Sequence, residues 1–346
     1  MKGATTLEEL RTIKSDMCEI LKSGLFNLRK FESNHSSLRD LSYETELKSF
    51  DEHKNTVKIL GIQWNPTSDT FTFNTNLPSR ENHTKRSILS EASRVFDPYG
   101  WLSPVLIKSK MLMQELWQQN IDWDDILPET TLTKWISLRH EIENCTSITM
   151  NRWFGCTFNN HEEIQVHGFS DASEKAYSAV VYFRVITKNK VNCSLISSKT
   201  KVSPIKPVTL PRLELLGAEL LSSHVQAILS HTNVKPSKIV LWTDSQIVLD
   251  WLSSEPKRWA TFVANRVGEI TSIFGRSHWR HIPTEFNPAD CASRGITLDE
   301  LQHHKLWWTG PKFLEQPEDN WPMRVEPKKK ISTRRTNKNS NKYCST

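Results

Sequence analysis

Four acidic residues fall where apolar stretches end or helices begin: Asp171, Glu214, Asp244 and Asp290. Asp171 follows the strand-like stretch 164–169. Asp244 follows Ile239-Val240-Leu241-Trp242, a continuous apolar run typical of a strand buried on both faces. Glu214 falls in the first turn of a helix opened by Pro211, and Asp290 at the start of one opened by Asn287-Pro288. The gaps between the acids are 43, 30 and 46 residues. If the strands before Asp171 and Asp244 are neighbours, all four acids reach one edge of a sheet. Carboxylates gathered there repel one another unless cations neutralise them. Their hard oxygens suit Mg²⁺, with Mn²⁺ as a substitute. Two such ions ~4 Å apart form a clamp for in-line displacement at phosphorus, activating the attacking water and stabilising the leaving 3′ oxygen. The expected products carry a 5′-phosphate and a 3′-hydroxyl.

Taken singly, Glu214 and Asp290 are well explained as acids at helix starts. Asp171 and Asp244 are not, because the strands before them end without Gly or Pro. The coincidence of four acids in this order carries the argument. A second pattern adds a substrate side. No acid lies between Glu174 and Glu214, while Lys175, Arg184, Lys188, Lys190, Lys199, Lys201, Lys206 and Arg212 do. Such a basic ridge beside an acidic pocket would hold phosphates away from the carboxylates. The plainer alternative is a solvated edge of a small domain.

The elements that must position these residues follow from periodicity. Strands are predicted over 164–169, 176–186 and 191–198, spaced for an antiparallel meander. A helix from Pro211 to about residue 230, the buried strand 239–242, helices over 245–252 and 262–273, a strand over 278–282 and a last helix follow. The order is βββαβα(α)βα. Upstream, Thr6-Leu7-Glu8-Glu9 reads as a capping box, Gly24 as a left-handed helix end and 25–31 as a strand. Residues 33–52 read as a loop with a short helix, 57–73 as a hairpin around Asn65-Pro66-Thr67-Ser68-Asp69, and 84–95, 103–120 and 129–143 as helices. After Trp308 the chain turns Pro-rich, then basic, and reads as a linker and tail.

Bulk properties set limits. Hydrophobic residues make up 37% of the chain and charged residues 24%, which fits a globular protein. No apolar run approaches the ~18–20 residues that span a bilayer, so no membrane partner is expected. The six cysteines include no CxxC pair, no zinc spacing and no disulfide framework. The net charge of +6 is misleading, because seven basic residues and no acid follow Glu326, leaving the rest at −1. Any nucleic-acid surface in the body must therefore be local.

Four motifs, in order, resemble the RNase H region of BEL/Pao-type LTR retrotransposon polyproteins. They are Phe169-Ser170-Asp171-Ala172-Ser173, Pro211-Arg212-Leu213-Glu214-Leu215-Leu216, Trp242-Thr243-Asp244-Ser245-Gln246, and the run from His281 through Asn287-Pro288-Ala289-Asp290-Cys291-Ala292-Ser293-Arg294-Gly295. Upstream, Lys58-Ile59-Leu60-Gly61-Ile62-Gln63-Trp64 and Phe96-Asp97-Pro98-Tyr99-Gly100-Trp101-Leu102-Ser103-Pro104 resemble the end of a reverse transcriptase palm and its connection. The resemblance implies an α/β fold. An RNase H-like mixed five-stranded sheet with flanking helices would follow a partial palm hairpin and a helical connection. The implied domains are 1–78 (palm remnant), 79–150 (thumb or connection), 160–300 (RNase H-like) and 301–346 (linker and basic tail).

The same resemblance implies a catalytic set of Asp171, Glu214, Asp244 and Asp290 on two Mg²⁺ ions. The substrate would be an RNA–DNA hybrid whose RNA strand is cut during reverse transcription. Nucleic-acid contacts fall to Lys199, Lys201, Lys206, Arg212, Ser245 and Gln246. Other polyprotein segments, polymerase and integrase, are the implied partners. A cytoplasmic protein is expected, with the basic tail as a candidate nuclear-import segment. The sequence lacks the paired polymerase aspartates in their aromatic context, an aspartic-protease Asp-Ser/Thr-Gly triplet and an integrase zinc motif. Asp124-Asp125 reads as an ordinary surface loop, so polymerase activity is not expected. A non-catalytic nucleic-acid-binding remnant is the alternative. An integrase core shares the sheet, but there the essential Glu comes last, whereas here it comes second. His281 and His167 read as strand histidines rather than proton shuttles.

Overall fold

The computed structural model describes residues 3–4, 6–28, 31–38, 56–59, 61–156, 163–188, 190–232 and 234–322. Thr6 opens α1 (Leu7–Ser23), its hydroxyl accepting from the Glu9 amide at 3.2 Å. The helix does not end as expected. Gly24 keeps φ at −89°, and Leu25 takes the left-handed position with φ +64°. The Phe26 and Leu25 amides then satisfy the Leu21 and Lys22 carbonyls, so residues 25–28 close a helix end instead of starting a strand. Residues 39–55, expected as a loop, and the basic tail lie outside the described residues.

The hairpin is present as β1 (Val57–Ile59), β2 (Ile62–Asn65) and β3 (Thr70–Thr72), with the Asn65 side chain capping its turn. Three helices follow: α2 (Lys85–Ala92), α3 (Ser103–Gln118) and α4 (Glu129–Asn144). The chain then returns as β4 (Thr149–Asn151), which pairs antiparallel with β3. The boundary expected between 78 and 79 is therefore not a structural one, because the connection helices are enclosed by a single four-stranded sheet.

The second sheet begins with β5 (Glu163–Ala172), β6 (Ala176–Ile186) and β7 (Val191–Val202), an antiparallel meander. The helix α5 (Leu210–His231) crosses to β8 (Lys238–Thr243), which pairs parallel with β5; α6 (Gln246–Leu252) and α7 (Thr261–Ile273) lead to β9 (Trp279–His281), parallel to β8. The strand order is β7-β6-β5-β8-β9. This is the RNase H-like mixed five-stranded sheet that the resemblance implied. Past β9 come α8 (Ala289–Arg294), α9 (Leu298–His303) and α10 (Lys305–Thr309). Among the described residues, no helix is long and apolar enough to cross a membrane.

The two faces of this sheet are covered differently. On one face α5, α6 and α7 pack on Val166, Val181 and Leu241. On the other, Phe169, Tyr182 and Trp242 share a core with Trp101, Leu116 and Trp135 of the connection and with Trp307, Leu314 and Trp321 of the C-terminal segment. Residues 301–322 are thus not a linker. Arg184, buried, donates to the Leu314 carbonyl at 2.5 Å, the Gln316 carbonyl at 3.0 Å and the Gln165 side chain at 3.0 Å. Glu318 pairs with both Lys238 and Arg280. Two indoles, Trp307 and Trp321, and one guanidinium hold down a segment whose prolines suggested otherwise.

Candidate active site

Register brings the first two acids together. Ser170 pairs with Thr243 across parallel β5 and β8, so Asp171 and Asp244 leave the same edge side by side. Glu214 reaches that edge from α5. The helix lies against the strand at Gly217, where a Cβ would stand 3.1 Å from the Asp171 carbonyl oxygen. Asn287 anchors the last loop by donating to the Ser170 carbonyl at 3.1 Å and accepting from the Ala289 amide at 3.1 Å. Ser178 donates to the Ala289 carbonyl at 2.7 Å, and Asp290 then stands at the start of α8. One expectation shifts. Thr209 caps α5 and Leu210 is its first residue, so Glu214 lies beyond the first turn. The helix-start explanation for Glu214 loses its basis.

The four acids feel one another. Burial, then the charges of Asp244 and Asp290, push the Asp171 carboxyl up to about 7, against a bond from Ser293 and the Arg294 charge. Burial raises Asp244 as well, with Asp290 adding to it and a Thr284 bond opposing it. Glu214 rises through burial and the Asp244 charge, opposed by Ser245. Asp171, Glu214 and Asp244 are hard-oxygen donors with no salt bridge among the described residues, whose charge a divalent cation would relieve.

Each acid is meanwhile held by a protein donor. Ser293 donates to Asp171, Ser245 to Glu214, Thr284 to Asp244 at 2.9 Å, and Arg294 to Asp290 at 2.5 Å. Among the described residues, no three His, Cys, Asp or Glu side chains converge closely enough to hold an ion as they stand. The donor set fits a cation, but its side chains are turned to their partners. Sequence reasoning missed Ser293, Arg294 and Thr284. The first two stood in the motif, three and four residues after Asp290, which is one helical turn and was a usable signal.

The basic residues divide. Lys199 and Lys201 are exposed on β7, at the end that faces the start of β6, and Lys206 and Arg212 are exposed before and within the first turn of α5. These four share the acids' edge of the sheet. Lys188 and Lys190 lie at the opposite end, around the β6–β7 turn, and Arg184 is buried as a structural tie. Lys175 pairs with Glu115 at 3.6 Å. The continuous ridge read from composition is therefore a cluster of four. Ser245 is buried, with its hydroxyl given to Glu214 and accepting from the Val248 amide, so it positions an acid rather than facing a groove. Gln246 is half-buried and donates to Asp250 at 3.0 Å. A cavity of about 460 Å³ adjoins the cluster between α3 and residues 203–213, lined by Gln114, Lys175, Ile205 and Thr209 among others.

Both histidines behave as strand residues. Trp242 donates its indole N–H to His167 Nδ1 at 3.2 Å, and burial pushes the imidazole down to about 3. His281 pairs with Thr243 at the end of β9, where its charge acts on Asp244. Asp124 is exposed and bonded to Arg86 at 2.8 Å, as a surface loop should be.

Residues 84–245 match a family model described as "Pao retrotransposon-like RNaseH-like domain". No curated protein matches the chain. Among solved structures, RNase H1 from the halophilic archaeon Halobacterium salinarum NRC-1 is similar at 13% identity, covering 41% of this chain and 98% of that one with a TM-score of 0.26. LC11-RNase H1 in complex with RNA/DNA hybrid is similar at 13% identity, covering 37% and 91% with a TM-score of 0.27. The foamy viral protease-reverse transcriptase in complex with dsDNA is similar at 16% identity, covering 67% and 45% with a TM-score of 0.21.

Proposed function

We propose that this chain, whose residues 84–245 match a family model described as "Pao retrotransposon-like RNaseH-like domain", is an endonuclease that hydrolyses the RNA strand of RNA–DNA hybrids. One observation supports the reading: four carboxylates from four separate elements stand at one sheet edge, where burial and then neighbouring carboxylate charge push Asp171, Glu214 and Asp244 upward. A fold gains nothing from such a cluster, since buried like charges cost stability. Asp171, Glu214, Asp244 and Asp290 would hold the divalent cations, Mg²⁺ first and Mn²⁺ as substitute. When bound, these supply the activation of water and the stabilisation of the leaving oxygen. Ser245 and Thr284 orient Glu214 and Asp244. Lys199, Lys201, Lys206 and Arg212 offer charge to the phosphates flanking the cut, and Gln246 borders the same edge.

The test is a hybrid labelled on its RNA strand, incubated with the full chain and Mg²⁺. The expected result is internal cuts leaving 5′-phosphates, reduced to background in Asp244→Asn. Cleavage that survives Asp244→Asn, or a wild-type chain that retains hybrid without cutting it, sinks the enzyme reading. The latter outcome establishes a nucleic-acid-binding remnant instead.

A further inference from the structure

The motif that carries Asp290 runs on through Ser293 and Arg294, and the proposed reaction assigns neither a task. Both touch the acids. Ser293 is buried and bonds Asp171, while its hydroxyl also reaches the Asp290 carbonyl at 3.0 Å. The Arg294 guanidinium meets Asp290 at 2.5 Å, and its charge also acts on Asp171 and Asp244. Among the described residues, no Lys or Arg forms a salt bridge with Asp171, Glu214 or Asp244. Arg294 is the one cation bridged to the cluster.

We propose that Arg294 is the resident counter-ion of the carboxylate cluster, a positioning residue that holds Asp290 and competes with the divalent cation for it. The inference rests on the cation-binding half of the reading above and not on hybrid cleavage. An exposed pair at i,i+4 on a helix is ordinarily a minor contact. Here α8 has only six residues and is anchored by Ser178, Asn287 and Ser173, the last donating to the Ser293 carbonyl at 2.8 Å. The pair adds little to holding that helix. Its effect falls on charge. It offsets the repulsion among the acids, and it keeps one Asp290 oxygen engaged while no three acids converge. The Arg294 side chain is 60% exposed, so it can swing into solvent without disturbing the core. A cation arriving at Asp290 has to displace it.

The experiment uses the full chain without nucleic acid. Mn²⁺ binding is read from the spin-resonance signal of the free ion, for wild type, Arg294→Gln and Arg294→Lys, with thermal melting in chelator as a check of folding. A competing pair of this exposure corresponds to about a two- to fivefold change in affinity. Arg294→Gln should bind Mn²⁺ tighter by that factor, Arg294→Lys should fall back toward wild type, and adding Asp290→Asn should abolish the gain. A cooperative Arg294→Gln melt with unchanged or weaker Mn²⁺ affinity overturns the proposal, as does a chain that binds no Mn²⁺ in any form. Competition for Mn²⁺ in a chain that leaves hybrid intact would remove the nuclease reading and keep this one.

Discussion

A buried carboxylate beside other carboxylates resists ionisation, and Asp171 is the centre of that effect here. Its folded value of about 7 stands above the ordinary value of 3.8. A raised folded value means the group favours folding while protonated. The cation-free protein is therefore most stable, on this account, below about pH 4, and loses that contribution as pH rises toward 7. Asp171→Asn removes the charge and keeps the shape. In chelator at pH 7.5 it should melt higher than wild type, by several degrees for a gain of about 1–2 kcal/mol. In Mg²⁺ the order should reverse, because the variant gains less from the ion. Melting curves in chelator and in Mg²⁺ test both halves, and a variant that is less stable in chelator would contradict the repulsion argument. The acids were legible in the sequence because an aspartate after an apolar strand is uncommon without a turn signal. Their partners were not. Ser245, Thr284 and Ser293 belong to a residue type that is everywhere, and only tertiary contact distinguishes a hydroxyl that holds an acid.

At the scale of elements, the strands and helices of 163–294 followed from periodicity and from the turn residues between them. The failure came at 301–322, where Pro311 and Pro317 suggested an open chain. What folds this segment is the pairing of Trp307, Leu314 and Trp321 with a sheet face built from Phe169, Tyr182 and Trp242, far from it in sequence. Nothing local signals such a pairing. Arg184 is its tie. Arg184→Met fits a buried strand position but leaves the Leu314 carbonyl without its donor, while the Gln316 carbonyl keeps the Trp321 indole N–H at 3.1 Å. Each unsatisfied buried group costs about 1–3 kcal/mol. A loss of about 1–3 kcal/mol in urea denaturation is expected, together with faster proteolysis within 305–322. Unchanged stability would show that the indoles alone hold the segment. Gly100 makes the matching joint for the connection region on the same face of the sheet. Its φ is +72°, and a Cβ would stand 2.2 Å from the Ser198 carbonyl oxygen, so the turn of the Asp97-Pro98-Tyr99-Gly100 motif can lie against β7. The motif was visible in sequence as a helix breaker. Its use as a joint was not.

For the whole molecule, the change in pattern near residue 160 marks a new sheet but not an independent unit. The face of that sheet bearing Phe169, Val180, Tyr182, Leu195 and Trp242 is fully or almost fully buried. Its cover comes from the connection helices before it and from 298–322 after it. Trp101 donates its indole N–H to the Ile196 carbonyl at 3.0 Å, and Trp307 donates to the Trp101 carbonyl at 3.0 Å, so the three segments interlock. Burial of each large apolar side chain is worth about 1.5–3 kcal/mol. Uncovering five of them removes an amount comparable to the ~5–15 kcal/mol that holds a typical domain together. A fragment of residues 160–300 keeps the four acids and α5–α8, yet it should lack a cooperative urea transition and should bind a hydrophobic dye. A fragment of residues 61–322 should unfold cooperatively and exclude the dye. Far-ultraviolet circular dichroism across a urea series decides between them. A two-state transition for 160–300 at the stability of the longer piece would mean that the shared core is only a docking contact. If instead the short fragment fails, any loss of Mn²⁺ binding in it reports unfolding rather than a missing ligand. The carboxylate edge then depends on the connection region through the integrity of the sheet and through α3, which packs against the Asp290 helix α8.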